Sequence, residues 1–339
     1  MDYSIMFFSN TPQQQDRYDL VLEASRLADD LGYTAVWVPE RHFGDFGGIF
    51  PNPALMTAHL AATTRRIGLR AGSVITPLHD SIRVAEEWSM VDNLSGGRAA
   101  VSIGSGWNAN DFAIYPDRFS SRREVMWSQL VELRALWGGN PIERRNGADE
   151  VIQVRIQPRP VQSEIPVWAT SGGSRGTFEQ AGRHRTNVLT HLIGQDLPAL
   201  ADNVAAYRDR LGDADGVVTL MLHTYLGAVG EDVRSVVHDP MRAYLRSALS
   251  LRQSEMSGLG RSDVSAAAED EDMVNELLDV SFERYYSNGS LLGTAEEVSR
   301  MITRVANVGV GEIACLVDFG LPFRAVLDGI KRFAVEIMD

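Results

Sequence analysis

The sequence predicts an α/β protein, 339 residues long, whose strands close into a single (β/α)8 TIM barrel. Three observations carry this expectation. Short apolar runs alternate with helix-period segments, and that order forces parallel pairing, because each helix returns the chain to the start of the sheet. The runs are apolar almost throughout, as strands covered on both faces must be. They number eight, which is the count that closes a barrel.

Residues 3–8 read as the first strand. Segment 16–31 follows as a helix, with Tyr18, Val21, Leu22, Ser25, Leu27 and Ala28 at near-helical spacing and Gly32 as its stop. Strands come next at 34–38, 67–74 and 99–103. Helices fall at 53–64, 82–94 and 122–137. Residues 140–160 are polar, carry Asn146-Gly147 and end in a β-like stretch, which predicts an inserted hairpin. Strands resume at 166–169, 187–190, 217–225 and 312–317, with helices at 177–183, 197–211, 233–251, 295–307 and 324–337. A second insertion is expected near 252–278, where Ser, Gly, Ala and acidic residues replace the periodic pattern. Residues 1–339 are thus expected to form one domain, with the two insertions near 140–160 and 252–278.

Composition narrows the function. Thirty-two Lys and Arg face 45 Asp and Glu, a formal charge of −13. An acidic surface repels phosphate backbones and anionic headgroups, so neither nucleic acid nor a membrane is the expected partner. The lone cysteine, Cys315, lies in an apolar run and reads as a buried core thiol. Without a basic, apolar leader or a run of about 18 apolar residues, a cytoplasmic protein is expected. The histidines show no metal-ligand spacing, and no G-x-S-x-G elbow is present.

A barrel carries its chemistry at the C-terminal ends of its strands, so the segments there are the ones to inspect. After the second strand stand Glu40, Arg41, His42, Phe43 and several glycines. They read either as a site loop or as an ion pair beside a structural histidine. After the third come Ser73 and Val74, then His79 near the next helix start; small residues admit a planar ligand or simply a tight turn. After the fourth, Gly104-Ser105-Gly106-Trp107-Asn108 allows close approach of a ring system, or a helix cap with Trp107 in the core. After the fifth, Ser171-Gly172-Gly173-Ser174 opens a helix. Free N–H groups, two hydroxyls and the positive end of the helix dipole make an anion site there, with phosphate the common occupant and Arg175 adding charge. A plain N-cap is the simpler reading, and location favours phosphate.

Taken in order, these segments resemble the bacterial luciferase family of flavin monooxygenases over nearly the whole chain. The residues that carry the resemblance are the run from Val36 to Phe43, Pro77-Leu78-His79 through Glu87, Asp92 to Arg98, the Gly104–Trp107 turn and the Ser171–Ser174 loop. Pro51-Asn52-Pro53, the stretch from Arg70 to Val74, that from Leu189 to Gln195, that from Leu220 to Thr224 and that from Ile313 to Gly320 resemble more closely the subgroup of polyketide and nonribosomal-peptide pathways, to which a mupirocin-pathway monooxygenase belongs.

The resemblance implies a two-component, oxygen-using enzyme. It implies FMN, reduced by a separate flavin reductase, and substrates that are acyl or aminoacyl groups on an acyl or peptidyl carrier protein. It also implies a homodimer. Ser171, Gly172, Gly173 and Ser174 would hold the phosphate. Ser73 and Val74 would lie against the isoalloxazine, where relatives often have a non-prolyl cis peptide, and Ser105 and Asn108 would lie near the ring and its tail. Glu40, Arg41 and His42 would be catalytic, with His42 as the acid–base residue. Phe43, Trp107 and His191 would shape the substrate pocket. Luciferases place a catalytic histidine where this chain has Arg41, which argues against light emission; an arginine that meets phosphate corresponds to Ser105, with Arg175 as the substitute charge. A deazaflavin-dependent oxidoreductase on the same barrel and a non-catalytic flavin-binding subunit are the alternatives.

Overall fold

The structure is a computed structural model that describes residues 1–8, 18–44, 47–258 and 271–338. The chain runs β1 (Asp2–Met6), α1 (Asp19–Leu31), β2 (Ala35–Val38), α2 (Pro53–Thr63), β3 (Gly68–Ile75), α3 (Ser81–Ser95), β4 (Ala99–Gly104), α4 (Arg122–Trp137), β5 (Ile142–Arg145), β6 (Val151–Val154), β7 (Val167–Ser171), α5 (Arg175–Arg183), β8 (Asn187–His191) and α6 (Leu197–Leu211). It continues through β9 (Val218–Leu226), α7 (Val233–Gly258), α8 (Glu271–Asn288), β10 (Leu291–Gly293), α9 (Ala295–Asn307), β11 (Glu312–Leu316) and α10 (Phe323–Phe333).

Eight of these strands pair in parallel around a closed circuit, β1-β2-β3-β4-β7-β8-β9-β11 and back to β1. This is the expected (β/α)8 barrel. β5 and β6 form an antiparallel hairpin with Ile142 opposite Val154, set apart from the barrel. The short β10 extends the sheet beside the end of β9, with Leu291 opposite Thr224. Of the second segment expected to be an insertion, residues up to 258 continue α7 and those from 271 open α8, while 259–270 lie outside the described residues. The first two residues of the helix expected at 16–31 lie outside them as well.

Helix starts follow local chemistry. The Asn52 side chain accepts the Leu55 N–H with Pro53 at the first helical position, Asp196 accepts the Ala199 N–H, and Thr294 forms a reciprocal capping box with Glu297. Apolar burial falls into one large cluster spanning the barrel and most of its helices, a second between β3–β4 and α2–α4, and a small third of Ile75, Leu78 and Phe112.

The lower half of the barrel interior is polar. Arg70 Nη1 lies 2.8 Å from both carboxylate oxygens of Glu312, whose Oε1 also accepts from Ser4 Oγ and Oε2 from Thr219 Oγ1. The guanidinium sits between the rings of Trp37 and Trp168, at 4.9 and 4.5 Å, and each indole N–H is spent on a hydroxyl of the same cluster. Charge, hydrogen bonds and cation–π contacts thus plug the floor. Cys315 is buried, as its apolar run predicts, and burial pushes its thiol up to about 12.

Candidate active site

Above that floor, at the C-terminal ends of the strands, lies a cavity of about 340 Å³. This is within the usual range of small-molecule pockets.

Glu40, directly after β2, forms one wall. Its side chain is wholly buried and it accepts three hydrogen bonds: from the Ile75 N–H at 2.7 Å, and from Nε2 of His42 and of His79 at 2.8 and 2.6 Å. Burial alone would raise the carboxyl, but these donors together with the charge of His79 hold it below its ordinary value. His79 moves the other way: burial pulls it down, and the Glu40 hydrogen bond and charge more than restore it, for a net rise. Asp111, in the loop after β4, is pushed by burial up to about 6 in spite of His42 and Arg41 nearby, and it accepts from Asn108 Nδ2 at 2.8 Å.

A row of hydroxyls forms the base of the cavity. Ser102 Oγ and Thr170 Oγ1 are 2.6 Å apart, and Thr170 donates to Ser73 Oγ at 2.9 Å. Ser73, which lines the cavity, accepts from Thr170 and so keeps its own hydroxyl proton to donate. The Gly72–Ser73 peptide is cis, and β3 bulges there, its register passing from Gly72 opposite Ser102 to Val74 opposite Ile103.

The third wall is the turn leading to α5. Ser171 Oγ accepts the Gly173 N–H at 3.3 Å, and Gly173 has φ +110°, a conformation that only glycine adopts without strain. A buried amide network braces this turn from behind. Thr190 Oγ1 donates to the Ser171 carbonyl, Gln195 Nε2 donates to Thr190, and Asn203 Nδ2 reaches both Gln195 Oε1 and the Gly173 carbonyl. The turn is therefore set before any ligand arrives. His191 Nδ1 accepts the Ile193 N–H, which puts the proton of the neutral ring on Nε2, on the side of Gly172.

Of the residues singled out in the sequence, Glu40, Arg41, Ser73, Ser105, Trp107, Gly172 and His191 line the cavity. His42 stands behind Glu40. Phe43 is 69% exposed and leans on the His42 ring, outside the cavity walls. Val74 turns its side chain outward into the β3–α3 core, leaving only its backbone near the site. Asn108 caps the short helical turn Ala109–Ala113, accepting from the Asn110 N–H. Ser171 lies beneath the turn and Ser174 takes the N-cap position of α5 without a side-chain cap bond. Arg175 points along the helix surface and pairs with Glu179 at 3.3 Å.

Some residues at the site were not anticipated. His79 stood out only as a helix-start residue, and its pairing with Glu40 depends on β2 and β3 lying side by side. Thr170, Met221 and Tyr244 line the cavity too, Tyr244 from α7. Behind it His223 is packed against Tyr244, Tyr285 and Phe319, and burial, aided by His191, depresses its imidazole to about 3, so it is neutral. Among the described residues no group of His, Cys, Asp and Glu could hold a metal ion, and no helix is long and apolar enough to cross a membrane.

The residues present fit a planar ring with a phosphate tail. Gly172 brings the turn before α5, and with it the positive end of that helix, to one end of the cavity, and a hydroxyl base with glycine-lined walls suits a flat group at the other.

A family profile described as luciferase-like monooxygenase matches residues 1–312. The oxygenase component of the flavin-dependent trigonelline monooxygenase of Acinetobacter baylyi is 23% identical over 97% of this chain and 91% of its own length. The 4-hydroxyprotoasukamycin monooxygenase of Streptomyces nodosus subsp. asukaensis is 28% identical over 93% and 82%. Among solved structures, monooxygenase RslO1 of Streptomyces bottropensis superposes with a TM-score of 0.78 at 21% identity, covering 100% of this chain and 99% of that one.

Proposed function

The chain belongs to the luciferase-like monooxygenase family and is a flavin-dependent monooxygenase; from that premise we propose that its cofactor is FMN, delivered reduced by a separate reductase, and that it oxygenates an acyl or aminoacyl intermediate held on a carrier protein. The observation that supports this reading is one cavity walled at one point by Gly172 of the turn before α5 and at another by Glu40, which holds His42 and His79. Two relatives support its finer parts. One is described as an oxygenase component, which supports a reductase partner, and the other as acting on 4-hydroxyprotoasukamycin, which supports a natural-product substrate.

Reduced FMN, when bound, supplies the electrons that activate oxygen. The chain does the rest. The Ser171–Ser174 turn and the α5 N-terminus would hold the phosphate, with backbone N–H groups and the positive end of the helix dipole. Ser73 would offer its hydroxyl to the ring, and Ser105 closes the adjoining wall. Met6, Leu189 and Met221 exclude water from the base of the cavity. The Glu40 carboxylate keeps His79 protonated to higher pH and orients His42, the proposed acid–base residue, while Trp107 and His191 bound the substrate.

The test is mass spectrometry of carrier-bound acyl and aminoacyl panels incubated with enzyme, reduced FMN and labelled oxygen. Gain of one labelled atom supports the proposal. Tight FMN binding with no incorporation across the panels overturns the substrate assignment. Binding of a deazaflavin in place of FMN, with hydride transfer and no oxygen uptake, overturns the cofactor assignment.

A further inference from the structure

We propose that Asn203, held by Gln195, is a positioning residue that makes the protein select a phosphorylated flavin over the same flavin without its phosphate. This rests on the reading that FMN is the cofactor and that the turn before α5 takes its phosphate; it adds the residues that set the polarity of the turn.

α6 otherwise buries a largely apolar face, with Leu197, Leu200, Val204, Ala206, Tyr207 and Leu211 along it. Asn203 sits in that face at 6% exposure, and Gln195, just before the helix, is buried to the same degree. A buried carboxamide is costly unless its hydrogen bonds are made. Here they are made, and they run in one direction. Asn203 Nδ2 donates to the Gly173 carbonyl at 3.1 Å and to Gln195 Oε1 at 3.0 Å. Gln195 Nε2 donates to Thr190 Oγ1 at 2.8 Å and to the His191 carbonyl at 2.9 Å. Thr190 passes its own proton to the Ser171 carbonyl at 2.8 Å. Main-chain carbonyls only accept, and they stand at every end of this chain of bonds. Neither carboxamide can be turned over without setting oxygen against oxygen.

The consequence falls on the peptide between Gly173 and Ser174. It is trans, the cis peptides among the described residues being Gly72–Ser73 and Gln157–Pro158. In a trans peptide the carbonyl and the following N–H point opposite ways. With the Gly173 carbonyl drawn inward to buried Asn203, the Ser174 N–H is turned outward, to the exposed side of the turn whose Gly172 meets the cavity. Gly173, at φ +110°, has no side chain to resist a half-turn of that peptide. A half-turn would place a carbonyl oxygen where an anion has to sit. The Asn203 carboxamide opposes it.

The experiment is titration of the flavin-free protein with FMN and with riboflavin, followed by flavin fluorescence and needing no turnover. The wild type is expected to bind FMN more tightly by more than about tenfold. Asn203→Leu, close in volume but without a donor, should lower that ratio by about tenfold, the yield of one charge-assisted contact, while riboflavin affinity changes less than about twofold. Gln195→Met keeps the shape but releases the Asn203 carboxamide, and should lower the ratio by a smaller factor; it carries the test if the leucine variant does not fold. An unchanged ratio in the variants overturns the proposal and leaves the phosphate reading standing. An equal loss for both flavins also overturns it, because the amides would then serve folding alone. A wild type that does not distinguish the two flavins overturns it together with the phosphate reading.

Discussion

Replacing Glu40 by glutamine removes one buried charge and leaves the shape of the wall unchanged. In the native protein that charge serves two imidazoles, at 2.8 and 2.6 Å. An amide can still accept from Ile75 through its oxygen and donate to both rings once they change tautomer, so no polar atom need be orphaned. What is lost is the charge assistance, about 1 kcal/mol per bond, offset in part because a carboxylate need no longer be buried; a net cost of about 1–2 kcal/mol follows.

The cost depends on pH. His79 has its folded pKa raised above the unfolded 6.5, so its contribution is complete below 6.5 and fades as pH rises through the folded value. Glu40 has its folded pKa lowered from 4.5, so its contribution is complete above 4.5 and fades as pH falls through the folded value. Both are present between 4.5 and 6.5, and there Glu40→Gln should be most destabilising. As pH rises through the folded His79 value the difference should shrink by the His79 share alone, the Glu40 share persisting. As pH falls through the folded Glu40 value the two stability curves should converge. In the variant the His79 pKa should drop, because its burial remains while its chief support is gone. Urea unfolding of both proteins across the window, with His79 followed by NMR, measures this. A stability difference that is flat with pH, or a His79 pKa that does not fall, would refute the reasoning.

Other substitutions probe other parts. Gly173→Ala forces a side chain into φ +110° and to within 3.3 Å of Gln195, at a cost of about 1–3 kcal/mol of strain; FMN titration should show roughly tenfold weaker binding, and unchanged affinity would remove the turn from the phosphate site. Glu312→Ala strands the Arg70 guanidinium between two tryptophans and should cost about 3–5 kcal/mol by denaturant unfolding, as removal of one partner of a buried pair does. His223 binds its proton in the unfolded chain but not in the folded one throughout the interval from 6.5 down to about 3, so native stability drains as pH falls through it; His223→Leu should flatten that part of the acid-unfolding profile, and an unaltered profile would show that the ring is not buried neutral.

All eight barrel strands were legible because each is a run of apolar residues bounded by turn residues, and closure follows from their number. β10 was not, since Leu291–Gly293 is too short for any period to show. α8 carried a readable signal, Leu278, Phe282 and Tyr285 buried at spacings of four and three, overshadowed by the acidic stretch before it. At the site, local composition singled out the Ser171–Ser174 turn, proposed to hold phosphate, because its chemistry lies within four consecutive residues. The Glu40–His79 pair, the Thr170–Ser73 contact and the Gln195–Asn203 brace are products of strand adjacency and helix return, which no window along the chain contains. Phe43 and Asn108 show the reverse: polar or aromatic residues at a strand end whose side chains face away from the cavity or tie down their own loop.

The ionic plug of Arg70, Glu312, Trp37 and Trp168 bears on traffic as well as on stability. Among the described residues the plug closes the floor beneath the cavity, so a ligand is met at the mouth, where the strands end and their loops begin. The depth to which it can sink is thereby set by residues at the far end of the strands.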